Sequence, residues 1–258
     1  MLEPRADLGP PPGRFALIAD IHGNADALEA VLAAIDREGI EHIINLGDHL
    51  SGPLDPAGTA DLLMARPGML CIRGNHDRYL LTHDIKDMSD ADRVTAEALD
   101  SAARGWLRAL PATARLADMV FACHAQPTQD DDYLLEHIVD GQLQNRPDDE
   151  VRALLGDVDA GLVLCAHSHL PRIREVGDTL IVNPGSVGCP AYADDRPTPH
   201  RVETGSPDAR WAVVARGREG WEVEPRTTRY SPARMVAMAR AYGRKDWAEA
   251  LATGRMPG

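Results

Sequence analysis

Five short apolar runs in this chain each stop on a polar cluster: FALIADIH at residues 15–22, IEHIINLGD at 40–48, MLCIRGNHD at 69–77, VFACHA at 120–125 and GLVLCAHSH at 161–169. Apolar runs of this length bounded by turn-forming residues read as buried strands. A helix follows the first run: Asn24 caps it, Asp26 suits its positive end, Leu28, Val31, Leu32 and Ile35 form one apolar stripe, and Gly39 ends it. Asp55 and Pro56 open a second helix to about residue 66, in the cap-then-proline order. Strand, helix, strand, helix, strand implies a parallel sheet with crossover helices. The polar clusters then fall at strand C-terminal ends, where open α/β sheets place their sites.

The remaining segments complete one domain. Residues 1–14, MLEPRADLGPPPGR, carry proline and charge where a secretion signal needs an apolar stretch, and read as a disordered arm. Ser89 caps a long helix through Leu110, with Leu99, Ala102, Ala103 and Trp106 at helical spacing and Pro111 as its stop. ARLADMVFACHA reads as a hairpin with Asp118 in the turn; an acidic loop and a short helix at 147–156 follow. Two strands surround Gly177 and Asp178, residues 189–209 read as a long loop, and 210–230 form a hairpin with Trp211 and Trp221 as cross-strand partners. Residues 231–243 form a helix, with Ser231 as cap, Pro232 in the first position and Gly243 past the end. The organisation expected is the arm at 1–14, a domain at 15–230 and a C-terminal helical extension at 231–258 packed on that domain.

Charge narrows the partners. Lys plus Arg number 27 against 40 Asp plus Glu, a formal charge of −13, so no long nucleic acid is expected. Long-range repulsion is screened over about 8 Å at physiological salt, which leaves room for a local cationic site that holds a phosphate. No run approaches the ~18 apolar residues of a membrane span, so a cytoplasmic protein is expected. Cys71, Cys123, Cys165 and Cys189 form no CxxC pair and read as reduced, buried thiols.

Taken alone, HxH is weak evidence for a metal, although His167 and His169 point to one side of an extended chain and would share one centre. Asp20, His22, Asp48, Asn75, His124, His167 and His169 at one rim are a stronger signal. Carboxylate, amide oxygen and imidazole together suit Mn²⁺, Fe or Zn²⁺ without thiolates. Seven candidate ligands are too many for one catalytic ion and suit two. Two divalent ions bring four positive charges and the two aspartates remove two, leaving about +2 to attract a phosphate.

The order DxH, GD, GNHD, H and HxH from Asp20 to His169 resembles the calcineurin-like metallophosphoesterases, and ADIHGN, RGNHDRYLL and NPGSVG are similar to a bacterial branch of small phosphodiesterases and phosphatases. The resemblance covers roughly residues 14 to 190. It implies an α/β (α+β) fold, a four-layer αββα sandwich of two mixed β-sheets flanked by helices, with two divalent ions at the sheet edge. Mn²⁺ is the first choice, with Fe, Zn²⁺ or Ni²⁺ as alternatives. Carried over by position, Asp20, His22 and His169 hold one ion, Asn75, His124 and His167 the other, and Asp48 bridges. A bridging hydroxide then attacks a phosphodiester or phosphomonoester in line with the leaving group. His76 steadies the phosphoryl oxygens or protonates the leaving oxygen, with Asp77 or Asp48 orienting its ring. Arg78 and Asn75 are candidates to touch the substrate phosphate.

Some positions depart from the family's pattern or stand beside it. Ala166 replaces a usual glycine and puts the turn before HxH in doubt. His49 reads as a supporting or surface residue. Asn183 and Ser186 read mainly as a tight turn. The acidic QPTQDDDY run after His124 favours a small diester over a polyphosphate. The other readings are a protein serine/threonine phosphatase, a dinucleoside polyphosphate hydrolase and, as in the retromer subunit, a scaffold that does not catalyse. The C-terminal hairpin and helix leave room for a homo-oligomer interface.

Overall fold

The structure, a computed structural model, describes residues 2–258. In chain order its first elements are β1 (Arg5–Leu8), β2 (Arg14–Ile18), α1 (Ala25–Arg37), β3 (Ile43–Asn45), α2 (Pro56–Met64), β4 (Leu70–Cys71), α3 (Asn75–Thr82), α4 (Asp90–Ala98) and α5 (Ser101–Ala109). The middle holds β5 (Thr113–Leu116), β6 (Val120–Cys123), β7 (Glu136–Val139), β8 (Gln142–Asn145), α6 (Asp148–Leu155), β9 (Leu162–Leu164), β10 (Arg172–Val176) and β11 (Thr179–Asn183). The chain ends with β12 (Ala191–Asp194), β13 (His200–Glu203), β14 (Ala209–Arg216), β15 (Trp221–Thr228), α7 (Ala233–Ala241) and α8 (Lys245–Thr253).

Two mixed sheets make the body: a five-stranded one in the order β15-β14-β2-β3-β4 and a six-stranded one in the order β1-β5-β6-β9-β11-β10. Strand alternation sends successive side chains to opposite faces. Phe15, Leu17 and Ala19 therefore meet Ala114, Val120, Ala122, Leu162 and Leu164 between the sheets. Ala16 and Ile18 point outward, onto Leu28, Val31 and Ile35 of α1, Leu63 of α2 and Leu107 of α5. On the far side, Phe121, Val163 and Ile181 pack on Val151 and Leu155 of α6. This is the αββα sandwich, with β2, β3 and β4 parallel in one sheet and β6 and β9 parallel in the other.

Several local expectations are corrected. The arm at 1–14 contains β1, paired in parallel with β5 from Arg5↔Thr113 to Leu8↔Leu116. Its charged, proline-flanked sequence is what a sheet edge tolerates. The long helix after Ser89 is two helices, because Leu99 is extended (φ −78°, ψ 130°) and Asp100 caps a new start by accepting from Ala103 N. A third sheet, β12-β13-β8-β7, occupies the stretches read as an acidic loop and as the 189–209 loop. Trp211 and Trp221 are not cross-strand partners: they face Arg226 and Arg216, with Trp211 in the helix-side core and Trp221 packed between the sheets. The C-terminal segment holds a second helix, α8, beyond the one expected. Among the described residues no helix is long and apolar enough to cross a membrane. All four cysteines are free and buried.

Candidate metal centre

The parallel strands of both sheets end at one rim. Hydrogen bonds tie the loops there: Ile21 N and His22 N donate to Asp48 O at 2.9 and 3.0 Å, Asp20 N to Gly47 O at 3.0 Å, and Ala166 N to His124 O at 2.7 Å. Asp20, His22, Asp48, His167 and His169 all have left-handed backbones, with φ of 54°, 51°, 53°, 70° and 58°. Outside glycine this region is sparsely used and costs about 1–2 kcal/mol per residue. Such strain persists where surrounding structure enforces it, which marks functional sites.

Two groups of ligand atoms result, Asp20, His22 and His169 in one and Asp48, His124 and His167 in the other. His167 and His169 thus divide between the groups instead of sharing one. Asp48 lies close to both, with Oδ2 3.3 Å from His124 Nε2 and 3.7 Å from His22 Nε2. Asn75 Oδ1 is 3.0 Å from His124 Nε2.

Backbone carbonyls fix three of the imidazoles. The Nδ1 atoms of His22, His124 and His169 lie 2.9, 2.8 and 2.8 Å from the carbonyl oxygens of Ser51, Leu46 and Cys189. A carbonyl only accepts, so Nδ1 carries the proton, and in the neutral ring each Nε2 turns a lone pair inward. The His22 and His169 Nε2 atoms are then 3.1 Å apart, lone pair to lone pair. This spacing suits two nitrogens bound side by side to one ion through ~2.1 Å bonds. Asp20 is fully buried and neither carboxylate oxygen has a hydrogen-bond partner. Uncompensated burial of this kind is expensive, and a divalent cation relieves it. The donor set therefore fits divalent metal.

The electrostatics of the bare protein agree. Burial, reinforced by Asp48, pushes the Asp20 carboxyl from 3.8 up to about 8. Burial also pushes His22 and His169 down and His167 to about 3, keeping these imidazoles neutral, as ligands must be. His124 goes the other way: burial opposes its charge, but Asp48 and Asp20 outweigh it and raise it to about 10. Without metal a proton would stand there in place of the cation's charge. Asp48 itself is held well below 3.8, because His124 and His76 overcome its burial.

His76 lines the same cavity. Its Nδ1 lies 2.8 Å from Asp92 Oδ1, which also accepts from Ser51 Oγ at 2.5 Å, while Ser89 Oγ bonds Asp92 Oδ2 at 2.7 Å. Burial lowers the imidazole pKa, yet Asp48 and Asp92 overcome it and raise it to about 9. Asp77, expected to orient His76, does something else. Its carboxylate accepts from Asp48 N (2.9 Å), His49 N (3.1 Å) and Gly74 N (2.9 Å) and holds His49 Nδ1 at 2.7 Å. Buried Asp77 and His49 thus brace the loops carrying Asp48 and Asn75. Arg78 does not face the cavity; its Nε and NH2 are bound by Asp130, with NH2 also on Asp131.

Ala166 fits its place, with no left-handed backbone and its methyl in the inter-sheet core. Asn183 Nδ2 donates to Ala166 O and Ser168 Oγ, and Ser186 Oγ to Asp20 O at 2.7 Å, so NPGSVG supports the ligand loops besides forming a turn. Sequence reading missed Asp92 and Ser51, and also two tyrosines. Tyr133 tilts against the His167 ring and Tyr192 stands edge-on to His169, with their hydroxyls 2.7 Å apart. Nothing in the spacing of these residues announces that role.

Comparison with known proteins places this geometry. The model of the calcineurin-like phosphoesterase superfamily domain matches residues 14–205. An uncharacterised protein of Methanocaldococcus jannaschii, MJ0912, is 28% identical over 201 residues, 68% of this chain and 76% of its own. The metallophosphoesterase of Sphaerobacter thermophilus superposes with a TM-score of 0.70 at 21% identity, over 95% of this chain and 100% of that one. The hypothetical protein PH1004 of Pyrococcus horikoshii does so with a TM-score of 0.70 at 22% identity, over 95% and 99%. A family match over most of the chain, on a sandwich of that family's kind, makes this protein a member of the calcineurin-like phosphoesterase superfamily, a phosphoester hydrolase.

Proposed function

We propose that the protein hydrolyses a small phosphodiester, or a phosphomonoester, with two divalent ions held by Asp20, His22 and His169 on one side and Asn75, His124 and His167 on the other, Asp48 lying between them. The observation that carries this reading is the convergence of Asp20, His22 and His169 on one point and of Asp48, His124 and His167 on another, with both Asp20 carboxylate oxygens buried and without a hydrogen-bond partner. The bound ions would neutralise phosphoryl charge and supply an activated water, with Mn²⁺ the first choice. His76 is held at Nδ1 by Asp92, and Asp48 and Asp92 favour its protonated form, which would leave Nε2–H to donate a proton to the leaving oxygen. Asp92 and Ser51 set the ring's angle. The acidic rim is partly neutralised, since Arg78 covers Asp130 and Asp131, and it repels a polyphosphate less than its sequence suggests. The four free thiols agree with a reducing, cytoplasmic setting.

Turnover of bis-p-nitrophenyl phosphate and p-nitrophenyl phosphate with added Mn²⁺ tests the proposal. We expect hydrolysis of both, with the larger kcat/KM on the diester, and two metals per chain by elemental analysis. Hydrolysis of neither with Mn²⁺, Fe²⁺, Zn²⁺ or Ni²⁺ overturns the enzymatic reading. Fewer than one metal per chain after loading overturns the dinuclear one.

A further inference from the structure

The cavity over the ligand groups is about 220 Å³ and has walls of two origins. His22, Asp48, Asn75, His76, His167 and His169 form its floor. A second wall comes from beyond the residues that match the family model: Arg244, Asp246 and Trp247 at the start of α8, opposite Tyr192 of β12. The Trp247 indole stands at 70° to the His22 ring with centroids 6.1 Å apart, and Tyr192 at 62° to His169 with centroids 4.7 Å apart. Two aromatic rings thus flank the Asp20, His22 and His169 group.

Trp247 packs on Gly52, where the backbone runs close against the His22 carbonyl. A Cβ there would lie 2.2 Å from His22 O and 3.4 Å from Trp247 Cη2. Arg244 and Trp247, three apart at a helix start, share a face. Asp246 fixes the guanidinium through Nε at 3.0 Å and NH2 at 2.6 Å. The wall therefore presents a flat apolar ring beside a paired donor and acceptor of fixed orientation. Pockets that enclose whole drug-sized ligands run to roughly 300–1,000 Å³, so this cavity admits a compact group.

We propose that this wall is the subsite for the organic part of the ester and selects a planar heteroaromatic group, the base of a nucleoside phosphate. Trp247 supplies the stacking face, and the Arg244 and Asp246 pair meets the polar edge of the ring. The proposal rests on the phosphoesterase reading of the adjoining centre. Flat-ring chemistry is shared by simple aryl esters, which lack the polar edge, so the test separates the two.

Inhibition constants of adenosine 5′-monophosphate, ribose 5-phosphate and phenyl phosphate are measured on the Mn²⁺-loaded full chain against bis-p-nitrophenyl phosphate hydrolysis. Stacking of a base on an aromatic side chain should favour the nucleotide over ribose 5-phosphate by about tenfold or more. Trp247→Ala should erase that ratio and Trp247→Phe keep most of it, while Arg244→Gln should narrow the preference for the nucleotide over phenyl phosphate. Equal constants for the nucleotide and ribose 5-phosphate in the unaltered protein overturn the proposal without recourse to any variant. So does phenyl phosphate binding as tightly as the nucleotide. If no ester is hydrolysed, the enzymatic reading fails by itself, and calorimetric titration with the nucleotide and ribose 5-phosphate still reads the same ratio.

Discussion

Asp20 concentrates the cost of the metal-free fold. Its pKa is raised from 3.8 to about 8, first by burial and then by Asp48, so the folded chain keeps a proton that the unfolded chain releases. Its share of stability is whole below pH about 4 and is lost as pH rises toward 8. Asp20→Asn removes the ionisable group, and we expect a higher Tm than the unaltered protein at pH 8 in chelator and little difference at pH 4. The same change should remove at least one metal per chain. A variant less stable at pH 8 without metal would contradict the account of this carboxylate. At His76 the expected loss on substitution by alanine is about 10²-fold or more in turnover with metals still bound, the range of acid–base catalysis. Asp92→Asn should cost about tenfold and move the basic limb of the rate profile to lower pH, because the carboxylate is one of the charges raising His76 toward 9. The bound cations oppose protonation, so that limb lies below 9 even in the unaltered protein. An unmoved limb would separate Asp92 from His76. The candidate ligands were legible because each closes an apolar run. Asp92 was not, since it lies sixteen residues past His76 within an acidic helix start, where a charge already has an ordinary explanation.

At the scale of elements, the turn between β4 and α3 packs closely against the Asp48 carboxylate. A Cβ on Gly74 would lie 2.1 Å from Asp48 Oδ1 and 2.6 Å from Asp48 N. Gly74→Ala should therefore displace the carboxylate that lies between the two groups and lower metal content and turnover together, even if the fold survives. Normal metal content in a folded variant would count against the placement of Asp48. Strand and helix order in the sandwich could be read because its strands are short apolar runs and its helices carry caps. The third sheet could not: QLQN and HRVE are polar strands with few buried residues, and the pairing that joins its two local hairpins, β8 with β13, is distant in sequence. The split between α4 and α5 is local by contrast, and Asp100 as a cap was a visible signal hidden by an unbroken apolar spacing. The tryptophans of the last hairpin were misplaced by register, where a small slip exchanges faces.

The whole molecule is closed by its two ends. β1 covers the edge of β5, and the C-terminal helices bury Met235, Ala239 and Leu251 against Leu54. Arg234 reaches Asp26 and Asp55 at the starts of α1 and α2. The long-range charge of −13 and the local cationic demand of the rim coexist because screening confines each to its own distance. Each ligand group draws from both sheets: Asp20 and His22 follow β2 while His169 follows β9, and Asp48 follows β3 while His124 and His167 follow β6 and β9. An ion bound in either group is thus a rivet through two plates that otherwise meet through apolar side chains and a few hydrogen bonds at the rim, such as His124 Nδ1 to Leu46 O and Ser186 Oγ to Asp20 O. Chelation should loosen the plates against each other before it unfolds either, so amide hydrogen exchange should quicken first in the loops after β3 and β9 and only later within the strands. A chain with both rivets in place should resist shear along the seam, and one that has lost them should slide.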